Sequence, residues 1–308
     1  MSLVLTTPPS LPPLLARGAL LSLFKRPAPD AEFPRTRLVL GNLRVDLARL
    51  AAYERVCGFP TGEDALPVTY PHVLGFPLAM RLMSGRDFPL PLLGLVHTSI
   101  TITQHRAVTA TGEYELSVYI DGLAPHRRGT EAAVITEMRV GDEVVWESRS
   151  TYLARHRTRQ QASATAEAVA AAEAVPGEKE AARAGKGAEG AEVAEGASKP
   201  LPEVAEWRIA EDVGRRYGAA SGDRNPIHLH PLTARLFGFP RAIAHGMWTV
   251  ARCLAAHGVP ARARVEAEFR APVLLPATVT YAAEGGRFEL RGGSAQRLHL
   301  AGRVQPLV

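Results

Sequence analysis

The segment from Gln161 to Pro200 divides this 308-residue chain into two blocks, each of a size that suits one small domain. The segment consists mainly of Ala, Glu and Gly and contains no aromatic residue, so it has too little apolar surface to offset the entropy lost on ordering. We predict a solvated, disordered linker over residues 158–203. The globular blocks are then residues 37–157 and 204–308, and the proline-interrupted residues 1–36 form an N-terminal tail.

The two blocks share one order of predicted elements, in which helices precede strands. The first block has helical patterns over 45–57 and 77–84, and strand-like runs follow at 92–104, 114–121, 130–140 and 143–155. In the second block Ile209, Val213 and Tyr217 have helical spacing, a helix is predicted over 246–257, and strands are predicted over 264–270, 277–283, 288–291 and 296–304. We interpret the shared order as a duplication, each unit being an α+β arrangement of a helix wrapped by an antiparallel sheet.

Charge and cysteine content narrow the functional class. Lys and Arg number 36 against 31 Asp and Glu, and a net charge of +5 without interleaved aromatic residues does not favour nucleic-acid binding. Two cysteines are too few for a disulfide-stapled secreted scaffold, and they lack the CxxC spacing of a zinc site, so the sequence favours the reducing cytoplasm. Prolines and Arg17 interrupt the most apolar early stretch, residues 11–24, so we predict no membrane span.

The chemistry is concentrated in Ser221-Gly222-Asp223-Arg224-Asn225-Pro226-Ile227-His228, which Ala244-His245-Gly246-Met247 follows. Pro226 favours a stiff turn that holds the Asp223 carboxyl group and the His228 imidazole a few residues apart. An acid and an imidazole are the minimum for moving protons on and off one water at neutral pH. Gly246 opens the next helix, where its unhindered N–H would suit a carbonyl oxygen that gains negative charge.

Spacing alone leaves other interpretations of this cluster open. An Asp-x-Asn-Pro sequence is more often only a turn, because these residue types favour turns without any chemistry. Asp223, His228, His230 and His245 also form a conceivable metal site, although the spacing does not establish a third ligand for the closely spaced pair. We expect no metal, and we expect His230 to hydrogen-bond within the loop and His245 to pack beside the helix start.

These motifs resemble the hydratase motif of the MaoC-like family, which comprises (R)-specific enoyl-CoA hydratases and 3-hydroxyacyl thioester dehydratases. The resemblance is strong in the second block. The family fold is the hot dog, a long helix wrapped in an antiparallel sheet, and this agrees with the predicted element order. The first block resembles the degenerate repeat of double hot-dog members, so the implied architecture is a pseudo-dimer within one chain.

The resemblance also implies roles for individual residues. Asp223 and His228 would hold and activate the water, Asn225 would brace the loop, and Gly246 would supply the oxyanion-hole N–H. The implied hydro-lyase reaction is reversible addition of water to a trans-2-enoyl thioester, which gives the (3R)-3-hydroxyacyl thioester in fatty-acid metabolism. It requires no metal or redox cofactor, only the coenzyme A or acyl-carrier-protein pantetheine that carries the substrate.

The first block lacks the catalytic turn, since residues 61–67 contain no Asn-Pro-x-His sequence. We therefore predict one active site per chain, with the first block forming a wall of the acyl pocket. Its candidate lining residues, for which core packing is the commoner role, are Tyr70, Phe76, Met80 and Met83. The candidate phosphate-binding residues, for which a solvated charged face is the commoner role, are Arg241, Arg262 and Arg264.

Two other functions on the same fold compete with hydration. A catalytically silent acyl-thioester-binding or scaffold protein would bind ligand without turnover, but the complete Asp-x-Asn-Pro-x-His sequence argues against it. A hot-dog thioesterase would release free thiol from an acyl-CoA. A homodimer and an acyl carrier protein as partner are both compatible with the sequence, which does not specify acyl chain length.

Overall fold

The computed structural model describes residues 1–156, 200–293 and 295–308. The helices in these ranges are α1 (Leu11–Ser22), α2 (Leu47–Cys57), α3 (Tyr70–Met83), α4 (Val213–Ser221), α5 (Pro226–Leu229), α6 (Pro231–Leu236) and α7 (Gly246–His257). The strands are β1 (Ser2–Leu5), β2 (Arg37–Arg44), β3 (Val96–Gln104), β4 (Glu113–His126), β5 (Gly129–Val140), β6 (Glu143–Arg155), β7 (Glu203–Ile209), β8 (Ala263–Phe269), β9 (Ala277–Glu284), β10 (Arg287–Gly292) and β11 (Arg297–Pro306). The linker predicted over 158–203 lies outside the described residues except at its end, where β7 begins.

The strands of the described ranges form one sheet in the order β1-β2-β4-β5-β6-β3-β8-β11-β10-β9-β7. The first half contributes β2-β4-β5-β6-β3 and the second half β7-β9-β10-β11-β8. Numbered by position within its own half, each set follows the same order, 1-3-4-5-2. Pairing within and between these sets is antiparallel, whereas β1 pairs with β2 in parallel. The repeated order is what a duplicated α+β unit produces.

The two halves meet at a seam where β3 pairs with β8. The inward residues Ile100, Ile102 and Val265 on these strands are at most 1% exposed. They belong to one core cluster that also contains Leu50 of α2 and Val250 of α7. The main core is therefore shared, and neither half buries its apolar surface alone.

Helix α7 is the central helix of the second half, and it has the predicted bounds. Its buried face includes the predicted residues Met247, Val250, Ala251 and Leu254, because side chains three and four positions apart lie on the same side of a helix. None of the helices in the described part of the chain combines the length and the apolar character that crossing a bilayer requires.

The first 36 residues form regular structure where we predict a tail. Strand β1 extends the sheet beside β2, and Gly18 of α1 is buried against Leu92. Two prolines, Pro12 and Pro13, lie in the first turn of α1. The missing N–H groups of prolines cost no helical hydrogen bond at that position, so these prolines mark a helix start.

Two other element predictions are wrong at their boundaries. Helix α3 begins at Tyr70 and contains Pro77 in its interior, whereas the prediction begins a helix at Pro77. Ile209, predicted at the start of a helix, instead ends β7, and α4 begins at Val213. In both places tertiary packing outweighs the local sequence preference.

Candidate active site

The loop between α4 and α5 fixes Asp223 through short-range hydrogen bonds. Helix α4 ends at Ser221, and Gly222 then adopts a φ of +85°, a left-handed conformation that favours glycine. The Asp223 N–H donates to Ser221 Oγ at 3.1 Å, and Asp223 Oδ1 accepts the Asn225 N–H at 3.1 Å. The turn therefore sets the direction of the carboxyl group.

His228 lies in the one-turn helix α5, and its tautomer is fixed. Asn225 caps this helix, its Oδ1 accepting the Ile227 N–H at 3.4 Å. His228 Nδ1 lies 2.8 Å from the Ile243 carbonyl oxygen. Because a carbonyl oxygen only accepts, Nδ1 carries the proton, and Nε2 of the neutral ring presents a free lone pair.

His245 ties this loop to the start of α7. Its Nε2 donates to the Asp223 backbone carbonyl at 2.9 Å and lies 3.8 Å from Asp223 Oδ2. Its ring stacks on that of His228, with the centroids 3.7 Å apart, and Tyr217 of α4 lies at 4.8 Å. This agrees with the predicted place of His245 beside the helix start.

Burial keeps the charge of this cluster low. His228 is 8% exposed and His245 is 2% exposed. Burial lowers the pKa of His228, against the opposing charge of Asp223, and holds the pKa of His245 well below its usual range. Burial also raises the pKa of Asp223, against the influence of His228 and the Asn225 N–H. The Asp223 side chain nevertheless remains 27% exposed, so a water can reach it. Neutral imidazoles beside a carboxyl group of raised pKa can exchange protons with a bound water.

Gly246 is the first residue of α7, so the helix provides no acceptor for its backbone N–H. A Cβ at this position would come within 2.9 Å of the Phe269 ring, and only glycine leaves that ring where it is. The N–H lies next to His245 at the positive end of the helix dipole, a position that favours an oxygen with negative charge. The structure thus brings Asp223, Asn225, His228 and Gly246 into one site.

The nominated arginines make contacts of their own outside the carboxyl–imidazole pair. Arg262 and Arg264 follow the C-terminal end of α7, whose 12 residues span about 18 Å from Gly246. Arg264 Nε bonds Glu266 at 2.9 Å, and the side chain lines a groove on the outer face of the sheet. Arg241 is exposed and donates to the Pro276 carbonyl at 3.3 Å. The role of these three arginines in binding a phosphate group stays a prediction.

The nominated acyl-pocket residues are packed in the core. Tyr70 is fully buried with its ring 5.0 Å from that of Tyr53, and its hydroxyl has no hydrogen-bond partner in the described ranges. Met80 and Met83 are buried in a second apolar cluster, within the first half, and Phe76 packs against it. Their role in lining a pocket stays a prediction.

The donor set offers little to a metal. Ligand atoms of Asp223, His228 and His245 lie within 4.8 Å of one another. His245 Nε2, which lies near the carboxylate, already donates to a backbone carbonyl, so it cannot serve as a metal ligand while that hydrogen bond holds. His230 Nδ1 accepts the Leu232 N–H at 3.2 Å, as expected of a loop residue.

Aromatic residues of the first half also lie near Gly246, and the sequence alone does not predict this. His97 on β3 and Tyr152 on β6 are register partners whose rings stack 4.5 Å apart. The His97 ring also lies 4.8 Å from Phe269 and 5.9 Å from His72. Only the strand register could have identified them, because nothing in the local sequence sets them apart.

Comparisons with known proteins place this chain among its relatives. The model of the MaoC like domain matches residues 194–294, which include the whole cluster. The 3-hydroxyacyl-thioester dehydratase X of Mycobacterium tuberculosis is 37% identical over 257 residues, 82% of this chain and 82% of that protein. A solved structure of HtdX from Mycobacterium tuberculosis has a TM-score of 0.70 at 34% identity and covers 88% of this chain and 100% of that one.

A more distant structure confirms the architecture. A conserved hypothetical protein from Mycobacterium tuberculosis with a double hot-dog fold has a TM-score of 0.51 at 13% identity, over 90% of this chain and 96% of that one. The predicted double hot-dog fold is therefore confirmed. With a domain match across the Asp223–Gly246 region and a relative 37% identical over 82% of the chain, the protein belongs to the MaoC-like dehydratase family.

Proposed function

We propose that this protein catalyses reversible hydration of trans-2-enoyl thioesters to (3R)-3-hydroxyacyl thioesters. The observation that carries the proposal is that Asp223 and a His228 of fixed tautomer lie beside the start of α7, where Gly246 has an N–H that the helix leaves free. A relative 37% identical over 82% of the chain is named a 3-hydroxyacyl-thioester dehydratase, which supports the same reaction.

His228 is the proton carrier in this proposal. In the hydration direction Nε2 takes a proton from a water that Asp223 holds, while the water oxygen bonds to C3 of the enoyl group. The imidazolium then gives that proton to C2, so one water supplies both the added hydroxyl group and the added hydrogen. The Ile243 carbonyl keeps its hydrogen bond to Nδ1 throughout and stabilises the transient cation.

Gly246 stabilises the charge that this addition creates. As the oxygen bonds to C3, the electron pair of the C2=C3 bond moves toward the thioester carbonyl, whose oxygen becomes enolate-like. The Gly246 N–H, at the start of α7, donates to this oxygen, and such preorganised donors often make the largest contribution to catalysis. The reverse sequence of steps is the dehydration.

The proposal also covers cofactor, partner and location. Substrate, water and the chain supply every proton and electron pair, so the reaction as proposed uses no metal or redox cofactor. The thioester carrier is coenzyme A or an acyl carrier protein, and a homodimer is compatible with the proposal. We place the protein in the cytoplasm, since Cys57 and Cys253 are both buried and free.

Loss of enoyl-thioester absorbance tests the proposal. Purified protein is mixed with crotonyl-CoA, a medium-chain trans-2-enoyl-CoA and the crotonyl thioester of an acyl carrier protein, and the product is analysed on a chiral column. We expect fast loss of absorbance, a (3R)-alcohol as product, and no activity in His228→Gln. Release of free thiol, detected with a thiol reagent, would instead indicate a thioesterase, and tight binding without either change would indicate a silent binder.

A further inference from the structure

A β-bulge turns His97 toward the inner face of the sheet. His97 pairs with Tyr152 and Ser99 pairs with the adjacent residue of β6, so Thr98 is an extra residue in β3. Further along β3, Ile100 faces the core, and simple alternation would place His97 with Ser99 on the opposite, outer face. The extra residue reverses this alternation. Bulges beside active sites often re-aim one side chain in this way.

On the inner face, His97 lies one ring away from Gly246. Its ring is 4.8 Å from the ring of Phe269, which is the ring that would meet a Cβ on Gly246 at 2.9 Å. Tyr152 stacks on His97 at 4.5 Å. His97, Tyr152 and Phe269 are each partly exposed, so the three side chains do not fill a closed core.

The two nitrogens of His97 have different environments. Nε2 is buried and finds no hydrogen-bond partner in the part of the chain that the structure describes. The backbone of Ser99 also interacts with the ring and raises its pKa; because Nε2 has no partner, we assign this interaction to Nδ1, with its N–H directed at the carbonyl oxygen. Burial, with a smaller contribution from His72, nevertheless holds the pKa of His97 well below its usual range. Nε2 is therefore an unprotonated acceptor that lacks a donor, an arrangement that costs folding free energy.

We infer that His97 is a substrate-binding residue whose Nε2 accepts a hydrogen bond from an N–H or O–H group that the thioester carries close to its carbonyl. The inference rests on the proposed function, since the carbonyl position is set by Gly246. Two groups have this chemistry: the pantetheine amide N–H nearest the sulfur and the hydroxyl group that forms on C3. Either donor would satisfy the acceptor only in the complex, as expected of a polar group that serves binding.

Three substitutions of His97 distinguish the contribution of Nε2 from that of Nδ1. His97→Phe keeps a ring for the stack with Tyr152 but has no nitrogen. His97→Gln places an amide oxygen near the position of Nε2, and the matched control His97→Asn places its amide near Nδ1 and provides nothing at Nε2. Melting temperature is measured for all three. The Phe variant removes a buried unpaired nitrogen, so we expect its melting temperature to hold or rise while its activity falls.

Two small substrates identify the donor. Crotonyl-N-acetylcysteamine keeps the amide N–H nearest the sulfur, and S-propyl thiocrotonate has none. We expect His97→Phe to lower kcat/KM about tenfold on the first ester, the effect of one hydrogen bond, and we expect His97→Gln to exceed His97→Asn. A loss that disappears on S-propyl thiocrotonate identifies the amide as donor, and a loss that persists identifies the hydroxyl group.

The inference is overturned if His97→Phe keeps the wild-type kcat/KM on both esters, if Gln performs no better than Asn, or if activity falls only in step with melting temperature. Failure of the proposed function is distinguished from failure of this inference, because the wild type would then convert neither ester. In that case the affinity for (3R)-3-hydroxybutyryl-CoA, which carries both candidate donors, decides the inference by calorimetry. Affinity about tenfold weaker in His97→Phe supports it, and equal affinity overturns it.

Discussion

The Nε of Arg49, on α2 of the first half, donates a 2.9 Å hydrogen bond to the carbonyl oxygen of Ala220, in the last turn of α4. Carbonyl groups in the last turn of a helix have no partner within the helix, and a cation there also complements the helix dipole. Asp223 follows three residues later. The half that lacks a catalytic turn therefore holds in place the turn of the other half.

Arg49 is accordingly a positioning residue for Asp223. We expect Arg49→Ala to lower kcat about tenfold, with a smaller change in KM, because α4 and the turn lose one charge-assisted hydrogen bond. Arg49→Lys keeps the charge and should recover part of the rate. Steady-state kinetics and melting temperatures check this, and an Ala variant with wild-type kcat would contradict the assignment.

Asp223→Asn and His228→Gln should each reduce kcat/KM by several orders of magnitude, on the order of 3–6 kcal/mol of transition-state stabilisation, since each removes an acid–base group. The rate of crotonyl-CoA hydration measures the effect. Circular dichroism and melting curves confirm that the variants are folded. A folded Asp223→Asn protein that retains its activity would rule out the proposed role of this carboxyl group.

Gly246→Ala should impair the oxyanion position without touching the carboxyl–imidazole pair. The new Cβ would meet the Phe269 ring at 2.9 Å, so the ring or the helix start must move. Gly41→Ala is a matched control, because nothing lies within 4 Å of its Cβ. We expect Gly246→Ala to lose about tenfold or more in kcat/KM and the double variant with Phe269→Leu to regain part of it. Additive losses in the double variant would contradict steric coupling.

His72 should make the fold sensitive to acid. Burial lowers its pKa from 6.5 to about 4, so the folded state binds this proton more weakly than the unfolded state does. The free energy of unfolding is therefore unaffected by this group above pH 6.5 and decreases as the pH falls from 6.5 toward 4. The total decrease that His72 causes is roughly 3 kcal/mol. Urea unfolding between pH 7.5 and 4.5 should show a flatter pH dependence in His72→Gln than in the wild type. Equal slopes would show that the group does not contribute.

The elements and residues with a local signal could be predicted from the sequence. Helix α7 has the predicted bounds because its apolar spacing, Gly246 at its first position and Gly258 directly after its end define it locally. Asp223 and His228 stand out because a turn of fixed residue types holds them. The acid–base pair of the candidate site could therefore be predicted from the sequence.

The remainder depends on tertiary structure. One extra residue in β3 decides whether His97 lies on the inner or the outer face of the sheet, and no local pattern marks that bulge. Arg49 is 171 positions from Ala220 along the chain, so only the packing of α2 on α4 reveals their contact. The early prolines interrupt the apolar pattern and so predict a tail, whereas in the structure Pro12 and Pro13 lie in the first turn of α1.

The seam between β3 and β8 also has an evolutionary consequence. In an assembly of two identical chains, the same strand would pair with its own copy, and each substitution would occur at both sites. Here the two copies are free to diverge: β3 carries a bulge and His97, whereas β8 pairs with β3 without a register shift and ends at Phe269. Joining the repeats in one gene therefore permits an asymmetric site, with a different side chain on each side of a single substrate, that symmetric self-association cannot encode.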